Sequence, residues 1–301
     1  MSVQTTILNL PEEEFVQPGN RACSGCGLGL IYRTVLKALG ENTILVVPPS
    51  CLTVLQGLYP IAATKLPCLN VTFASTAAAA TGVVAAMRAR KKEGVTVAAI
   101  AGDGGTSDIG IQALSGACER GDDFIYICYD NEAYMNTGVQ RSGTTPKGVL
   151  TTTTPIVGKT QVSKDVPAIV AAHGIEYVAT ASAAYPLDLY DKVKKALLHK
   201  GVRYIHAHTP CPAGWGFDPR YSVKIGQLAV VSGMYDLYEI ENGKKRLTGA
   251  SHTLLKKDRL PVKDYLSAQV RFKSFSEEDI QYLQNETEAK WETYKTQFSE
   301  S

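Results

Sequence analysis

Two sets of residues in this 301-residue chain have types and spacings that could do chemistry. The first is Gly102-Asp103-Gly104-Gly105, with Asn131 following 28 residues after Asp103. A carboxylate at Asp103, an amide oxygen at Asn131 and a backbone carbonyl at Ala133 are hard oxygen donors. Mg²⁺ takes one or two protein carboxylates and completes its octahedron with phosphate oxygens and water. The glycines let the backbone approach phosphates closely, and a helix starting there favours anions. The set therefore suits a metal-held diphosphate. The same tetrapeptide would also serve as a tight strand-to-helix turn with an aspartate cap. The downstream Asn131, also at a strand end, favours the first reading.

The second set is drawn from seven cysteines. The N-terminus is acidic and lacks a basic stretch followed by an apolar one, so a cytoplasmic location is expected and a disulfide framework is not. Cys23-Ser24-Gly25-Cys26 forms a CxxC; Cys51 follows Pro48-Pro49-Ser50, and Cys211 lies in Thr209-Pro210-Cys211-Pro212. All four fall in expected loops at one edge of a sheet. Four thiolates suit an iron–sulfur cluster, with Gly25 and Gly27 leaving room for its core. They would also suit a structural zinc, and the CxxC alone a redox pair. The spacing of Gly102–Gly105 and Asn131 resembles a thiamine-diphosphate-binding motif, and a redox-linked thiamine enzyme needs an electron acceptor beside its cofactor, which puts the cluster first. Cys118, in a helical pattern, and Cys128, in an apolar strand, read as core residues. Cys68 reads as structural.

These residues must be positioned by an α/β scaffold. Apolar runs at 43–47, 95–100, 124–129, 177–180 and 202–206 read as strands. Helical patterns at 28–39, 75–92, 106–120, 166–172 and 187–198 separate them. Strands apolar throughout, alternating with helices, predict a doubly wound, mostly parallel sheet covered on both faces. The alanine-rich run 77–87 suits a buried helix, and no apolar run reaches the ~18 residues a membrane span needs. Segment 134–160, rich in Gly, Thr and Pro, reads as a functional loop or lid. The expected division is an arm over 1–20, an α/β domain over 21–214 and a C-terminal extension over 215–301. That extension reads as a polar tail with one solvated helix near 277–296, packed on partner subunits. A net charge of +2 gives no reason to expect nucleic acid or a membrane surface as partner.

The run from Gly102 to Pro146 closely resembles the thiamine segment of the β subunits of pyruvate (2-oxoacid):ferredoxin oxidoreductases. The opening Arg21–Gly27, the loop Pro48–Cys51 and the late His208–Phe217 resemble that family's cluster motifs, and the tail resembles its pyruvate-type members. The likeness covers nearly the whole chain. It implies that Cys23, Cys26, Cys51 and Cys211 hold one [4Fe-4S] cluster. It implies that Asp103, Asn131 and the Ala133 carbonyl hold Mg²⁺. Thiamine diphosphate would be met by Gly102, Asp103, Gly104, Gly105, Asn131, Glu132, Ala133, Tyr134, Met135 and Asn136, and by Cys51. Asn136 would face the substrate. Leu28 stands where relatives can carry a polar cofactor contact, so its contact here would be apolar. The chain departs from many pyruvate-type relatives at Pro49-Ser50 and over Leu69–Thr76, near the cofactor, which leaves the 2-oxoacid open.

The resemblance further implies oxidative decarboxylation of a 2-oxoacid, pyruvate favoured, with electrons leaving through the cluster to ferredoxin and coenzyme A taking the acyl group. An oxalate-type substrate is one alternative; the diphosphate-binding half of a non-redox carboligase is another. The Glu that activates thiamine belongs to a pyrimidine-binding domain that the sequence lacks. An α-type partner subunit should supply it. A small ferredoxin-like subunit or domain should carry further clusters, within a hetero-oligomer built as a dimer of protomers. His206 and His208 read as packing or hydrogen-bonding residues, Arg141 and Lys147 as solvated loop charges, and Trp215 as a packing residue.

Overall fold

All five apolar runs become strands of one sheet. The computed structural model describes residues 5–298. Its strands are β1 (Thr43–Val47), β2 (Cys68–Asn70), β3 (Thr96–Gly102), β4 (Phe124–Asp130), β5 (Tyr177–Ser182), β6 (Val202–His208), β7 (Tyr238–Glu241) and β8 (Lys244–Leu247). They form one eight-stranded sheet in the order β2-β1-β3-β4-β6-β5-β7-β8. The first six are parallel; β7 runs antiparallel to β5 and pairs with β8 as a hairpin.

The helices follow in chain order: α1 (Gly27–Leu39), α2 (Cys51–Gln56), α3 (Thr76–Ala89), α4 (Asp103–Ser107), α5 (Ile111–Arg120), α6 (Val166–Ala171), α7 (Pro186–Ala196), α8 (Pro212–Trp215), α9 (Ser222–Val231), α10 (Gly249–Thr253), α11 (Val262–Leu266) and α12 (Glu277–Phe298). Side chains of a strand point alternately to its two faces. On β4, Ile125, Ile127 and Tyr129 pack with α1, α2 and α7, while Phe124, Tyr126 and Cys128 pack with α3, α5 and α6. Both faces are thus covered, as the expected doubly wound sheet requires.

Three differences from the sequence reading matter. The helix expected over 106–120 is two helices, α4 and α5, separated by a turn. At that turn a side chain on Gly110 would meet the Gly105 carbonyl at 2.1 Å. The alanine-rich α3 buries only Thr76, Ala77 and Ala80, leaving Ala78, Gly82, Ala85 and Ala89 on the surface. Residues 215–298 are not a loose tail. Their hairpin extends the sheet, Trp215, Ile225, Tyr265 and Phe272 form a further apolar cluster, and α12 buries Trp291 completely.

Candidate active site

The four central strands β1, β3, β4 and β6 end side by side at the carboxyl edge. They deliver in turn Cys51, Asp103, Asn131 and Cys211. Open α/β sheets bind ligands at that edge. A cleft there is lined by Gly102–Gly105, Cys51, Asn131, Ala133, Tyr134, Met135 and Asn136. Gly104 has no room for a side chain, since a Cβ would stand 2.6 Å from the Tyr134 ring. That phenol donates to Asp108 Oδ2 at 3.0 Å, so ring and glycine form one wall.

Asp103 is fully buried, and burial together with the nearby Asp130 charge pushes its carboxyl well above the usual range. The Asn131 carboxamide lies 3.2 Å from Asp103 Oδ1 and 2.8 Å from the Ala133 carbonyl oxygen. Turned one way, its nitrogen donates to both. Turned the other, three oxygens converge with no proton among them, which is the donor set Mg²⁺ accepts. The residues therefore fit the ion. Thr144 braces the site from beneath, its hydroxyl 3.1 Å from Asp103 Oδ2 and 2.8 Å from Asp130 Oδ1. His206 Nε2 lies 2.8 Å from Asp130 Oδ2, and its Nδ1 lies 2.7 Å from the Tyr204 hydroxyl. Burial raises the Asp130 carboxyl, but the His206 contact outweighs it and holds Asp130 low.

The loop that carries Thr144 is stapled by Lys159. Its fully buried ammonium donates to the Gly143 and Thr145 carbonyls, each at 2.7 Å, and burial lowers it to about 8. Of the two loop charges, exposed Arg141 meets Gln161, and Lys147 lies over the Tyr282 ring of α12.

Cys23, Cys26, Cys51 and Cys211 line a second cavity of about 260 Å³, together with Leu28, Asn131, Met135 and Asn136. The two cavities share Cys51, Asn131, Met135 and Asn136. Burial first, and then the Cys211, Cys26 and Cys23 thiols, push Cys51 up to about 12. Cys211 rises to about 11, chiefly through burial. Cys26 is raised too, chiefly by burial, so these three thiols keep their protons unless a cation shares their charge. Among the described residues, no three His, Cys, Asp or Glu side chains surround a single ion. The four thiols line one cavity, and four thiolates set around a core rather than one ion are the donor set a four-iron cluster would take. Cys68 lies apart, its sulfur 3.2 Å from Gln56 Nε2, and Cys118 and Cys128 are core residues.

Gly25 and Gly27 serve a different purpose from the room expected for a cluster. A Cβ at Gly25, whose φ is +66°, would meet the Pro219 carbonyl at 2.4 Å, and one at Gly27 the Pro210 carbonyl at 2.8 Å. They let the CxxC pack against the chain on either side of Cys211. Leu28 is buried against the cysteine cavity and does not line the glycine cleft. The Glu132 side chain also stays out of the cleft and is ion-paired to Arg271. Sequence reasoning missed Thr144, Lys159 and Arg271. The first two sit in a loop without periodicity, and Arg271 is 139 residues from its partner, so no local signal marks any of them.

A parallel sheet with an acid–amide pair at the carboxyl edge of adjacent strands defines the diphosphate-binding half of a thiamine enzyme. Residues 58–207 match the family model for the thiamine pyrophosphate enzyme, C-terminal TPP binding domain. Pyruvate synthase subunit PorB of Methanothermobacter thermautotrophicus is 50% identical over 281 residues, 92% of this chain and 96% of that protein. Ketoisovalerate oxidoreductase subunit VorB of Pyrococcus furiosus is 44% identical, covering 96% of this chain and 94% of its own length. Among solved structures, a 2-oxoglutarate:ferredoxin oxidoreductase from Magnetococcus marinus shares the fold, with a TM-score of 0.61 at 19% identity. The match spans 91% of this chain and 97% of that one. The chain belongs to the family of β subunits of 2-oxoacid:ferredoxin oxidoreductases, and is a subunit of a thiamine-dependent enzyme.

Proposed function

We propose that this chain carries the thiamine diphosphate, Mg²⁺ and one [4Fe-4S] cluster of a pyruvate:ferredoxin oxidoreductase. The observation that carries this reading is the junction of the two cavities at Cys51, Asn131, Met135 and Asn136. A cofactor seated in the first and a cluster seated in the second would be direct neighbours. Asp103, Asn131 and the Ala133 carbonyl would hold the metal. Gly102–Gly105 would admit the diphosphate, and Cys23, Cys26, Cys51 and Cys211 would hold the cluster. When bound, thiamine diphosphate supplies the electron sink for decarboxylation, and the protein supplies position and electrostatics. Asn136, exposed on the rim of both cavities, would orient the substrate.

The glycine cleft encloses only about 50 Å³. Small-molecule sites run to roughly 300–1,000 Å³. The cleft can take the diphosphate end alone, so the rest of the cofactor, its activating Glu and most of the substrate pocket would come from an α-type partner subunit. A ferredoxin-like subunit and ferredoxin would receive the electrons, in the cytoplasm. Pyruvate is favoured over the branched-chain acids by the PorB chains of three methanogens, 46–50% identical against 44% for the VorB chains, although PorB of Pyrococcus horikoshii is 41% identical.

The test is anaerobic purification of the intact complex from its host, with iron, sulfide, zinc and thiamine quantitation and turnover on each 2-oxoacid. About four iron and four sulfide assigned to this chain, one thiamine diphosphate and pyruvate turnover are expected. Zinc without iron would sink the redox reading. Faster turnover of a branched-chain acid would move the substrate.

A further inference from the structure

The turn that presents Asn131 and Ala133 is held almost entirely from outside. Glu132, at its centre, has φ +62°, a conformation that a non-glycine residue rarely adopts unaided. Its N–H donates to Asp130 Oδ1 at 2.8 Å, and its carbonyl accepts from the Thr145 hydroxyl at 2.6 Å. Its carboxylate is ion-paired with Arg271. One residue earlier, the Asn131 carbonyl accepts from Trp215 Nε1 at 2.8 Å.

Arg271 is itself fixed. Its guanidinium lies 3.7 Å from the Trp215 ring centre and 4.6 Å from that of Phe272, and it donates to Gln269 at 2.9 Å and Tyr265 at 3.1 Å. It is buried, so its charge has no water to fall back on. Trp215 closes the circuit towards the cysteines, because it ends the short helix that Cys211 begins. Cofactor loop and cysteine loop also touch directly at Gly214, where a Cβ would stand 2.1 Å from Met135 Sδ.

We propose that the C-terminal segment is a positioning device for the cofactor loop. Arg271 acting through Glu132, and Trp215 acting through the Asn131 carbonyl, hold residues 131–133 in the shape that aims the Asn131 amide and the Ala133 carbonyl at the metal. The proposal rests on the reading of Asp103, Asn131 and Ala133 as Mg²⁺ ligands. Partners that orient metal ligands typically change metal affinity 10- to 100-fold when removed. Arg271 and Glu132 line neither the glycine cleft nor the cysteine cavity, so they are positioning residues.

The experiment uses the complete complex, stripped of cofactor and titrated with thiamine diphosphate at several Mg²⁺ concentrations. Wild type is compared with Arg271→Met, Glu132→Gln, their double variant and Asp103→Ala. Unfolding midpoints of the stripped complexes are followed in parallel. Both single variants should weaken Mg²⁺-dependent binding about 10- to 100-fold. The double variant should be no worse than either, and excess Mg²⁺ should restore binding. If Arg271→Met does not assemble, Glu132→Gln carries the test, since it keeps the size of the side chain, removes only its charge and leaves Arg271 on Trp215. Wild-type affinity in Glu132→Gln, with Asp103→Ala unable to bind, would overturn the positioning role and keep the metal reading. A lowered unfolding midpoint with unchanged affinity would overturn it too, leaving Arg271 a stability residue. Wild-type binding by Asp103→Ala would instead overturn the metal reading itself.

Discussion

Asp103 and Asp130 are two buried carboxyls that share one hydroxyl, that of Thr144. Like charges so placed push each other's protonation up, and here Asp130 keeps its charge through His206 while Asp103 gives way. Replacing Thr144 with Val keeps the shape and removes the hydroxyl. It should cost about 1–3 kcal/mol of stability in the stripped protein, the range for a buried acceptor left without its donor. The loss should shrink when Mg²⁺ and thiamine diphosphate are bound, because the cation then compensates Asp103. Thermal unfolding with and without cofactor reads both quantities, and equal losses in the two states would show that Asp103 does not face a cation. The cysteines separate in the same way. Cys211→Ser should lower the iron content and change the cluster's electron-paramagnetic signal, while Cys68→Ser, on a sulfur held by Gln56 away from the cavity, should leave both intact. The reverse result would reassign the fourth ligand.

At the scale of elements, the strands were legible where six or seven apolar residues run together, as in β3 and β4, because a parallel strand buried on both faces must be apolar throughout. The hairpin β7–β8 was not legible. Its strands are four residues each, β8 reads Lys-Lys-Arg-Leu, and the strand it pairs with, β5, lies about sixty residues upstream. Short charged strands look like coil until the edge that recruits them is known. The α3 helix misled in the opposite direction. Alanine fits any burial, so a run of it carries no sidedness. The last helix, α12, is polar in composition, yet Trp291 is its most deeply buried anchor, beside Lys290 and Tyr294 on Asp236. Trp291 is wholly buried and donates to the Gly233 carbonyl at 3.0 Å. Trp291→Ala should cost about 3–5 kcal/mol. A denaturant midpoint within error of wild type would show that α12 does not need this anchor.

For the molecule as a whole, the meeting of the candidate cofactor residues in one cleft was legible because their types are rare and their spacing follows from adjacent strand ends. What supports them was not, because support arrives from parts of the chain distant in sequence. The shallow cleft gives a prediction at this scale. The chain alone should bind thiamine diphosphate far more weakly than the complex, and should turn over no 2-oxoacid until an α-type partner is added. Turnover by the isolated chain would remove the need for a shared site. No helix among the described residues is long and apolar enough to cross a membrane.

Glu132 and Arg271 are 139 positions apart, and this separation orders events in time. A ribosome finishes every candidate ligand, through Cys211, well before it reaches Arg271. Domains assemble largely from the N-terminus as they emerge. The growing chain would therefore hold a complete set of ligands with an unset turn, and the cofactor would find its seat only once the last stretch had folded back. Stalled or clipped products lacking Arg271 would load poorly, so cofactor loading would become a check that translation had passed that residue.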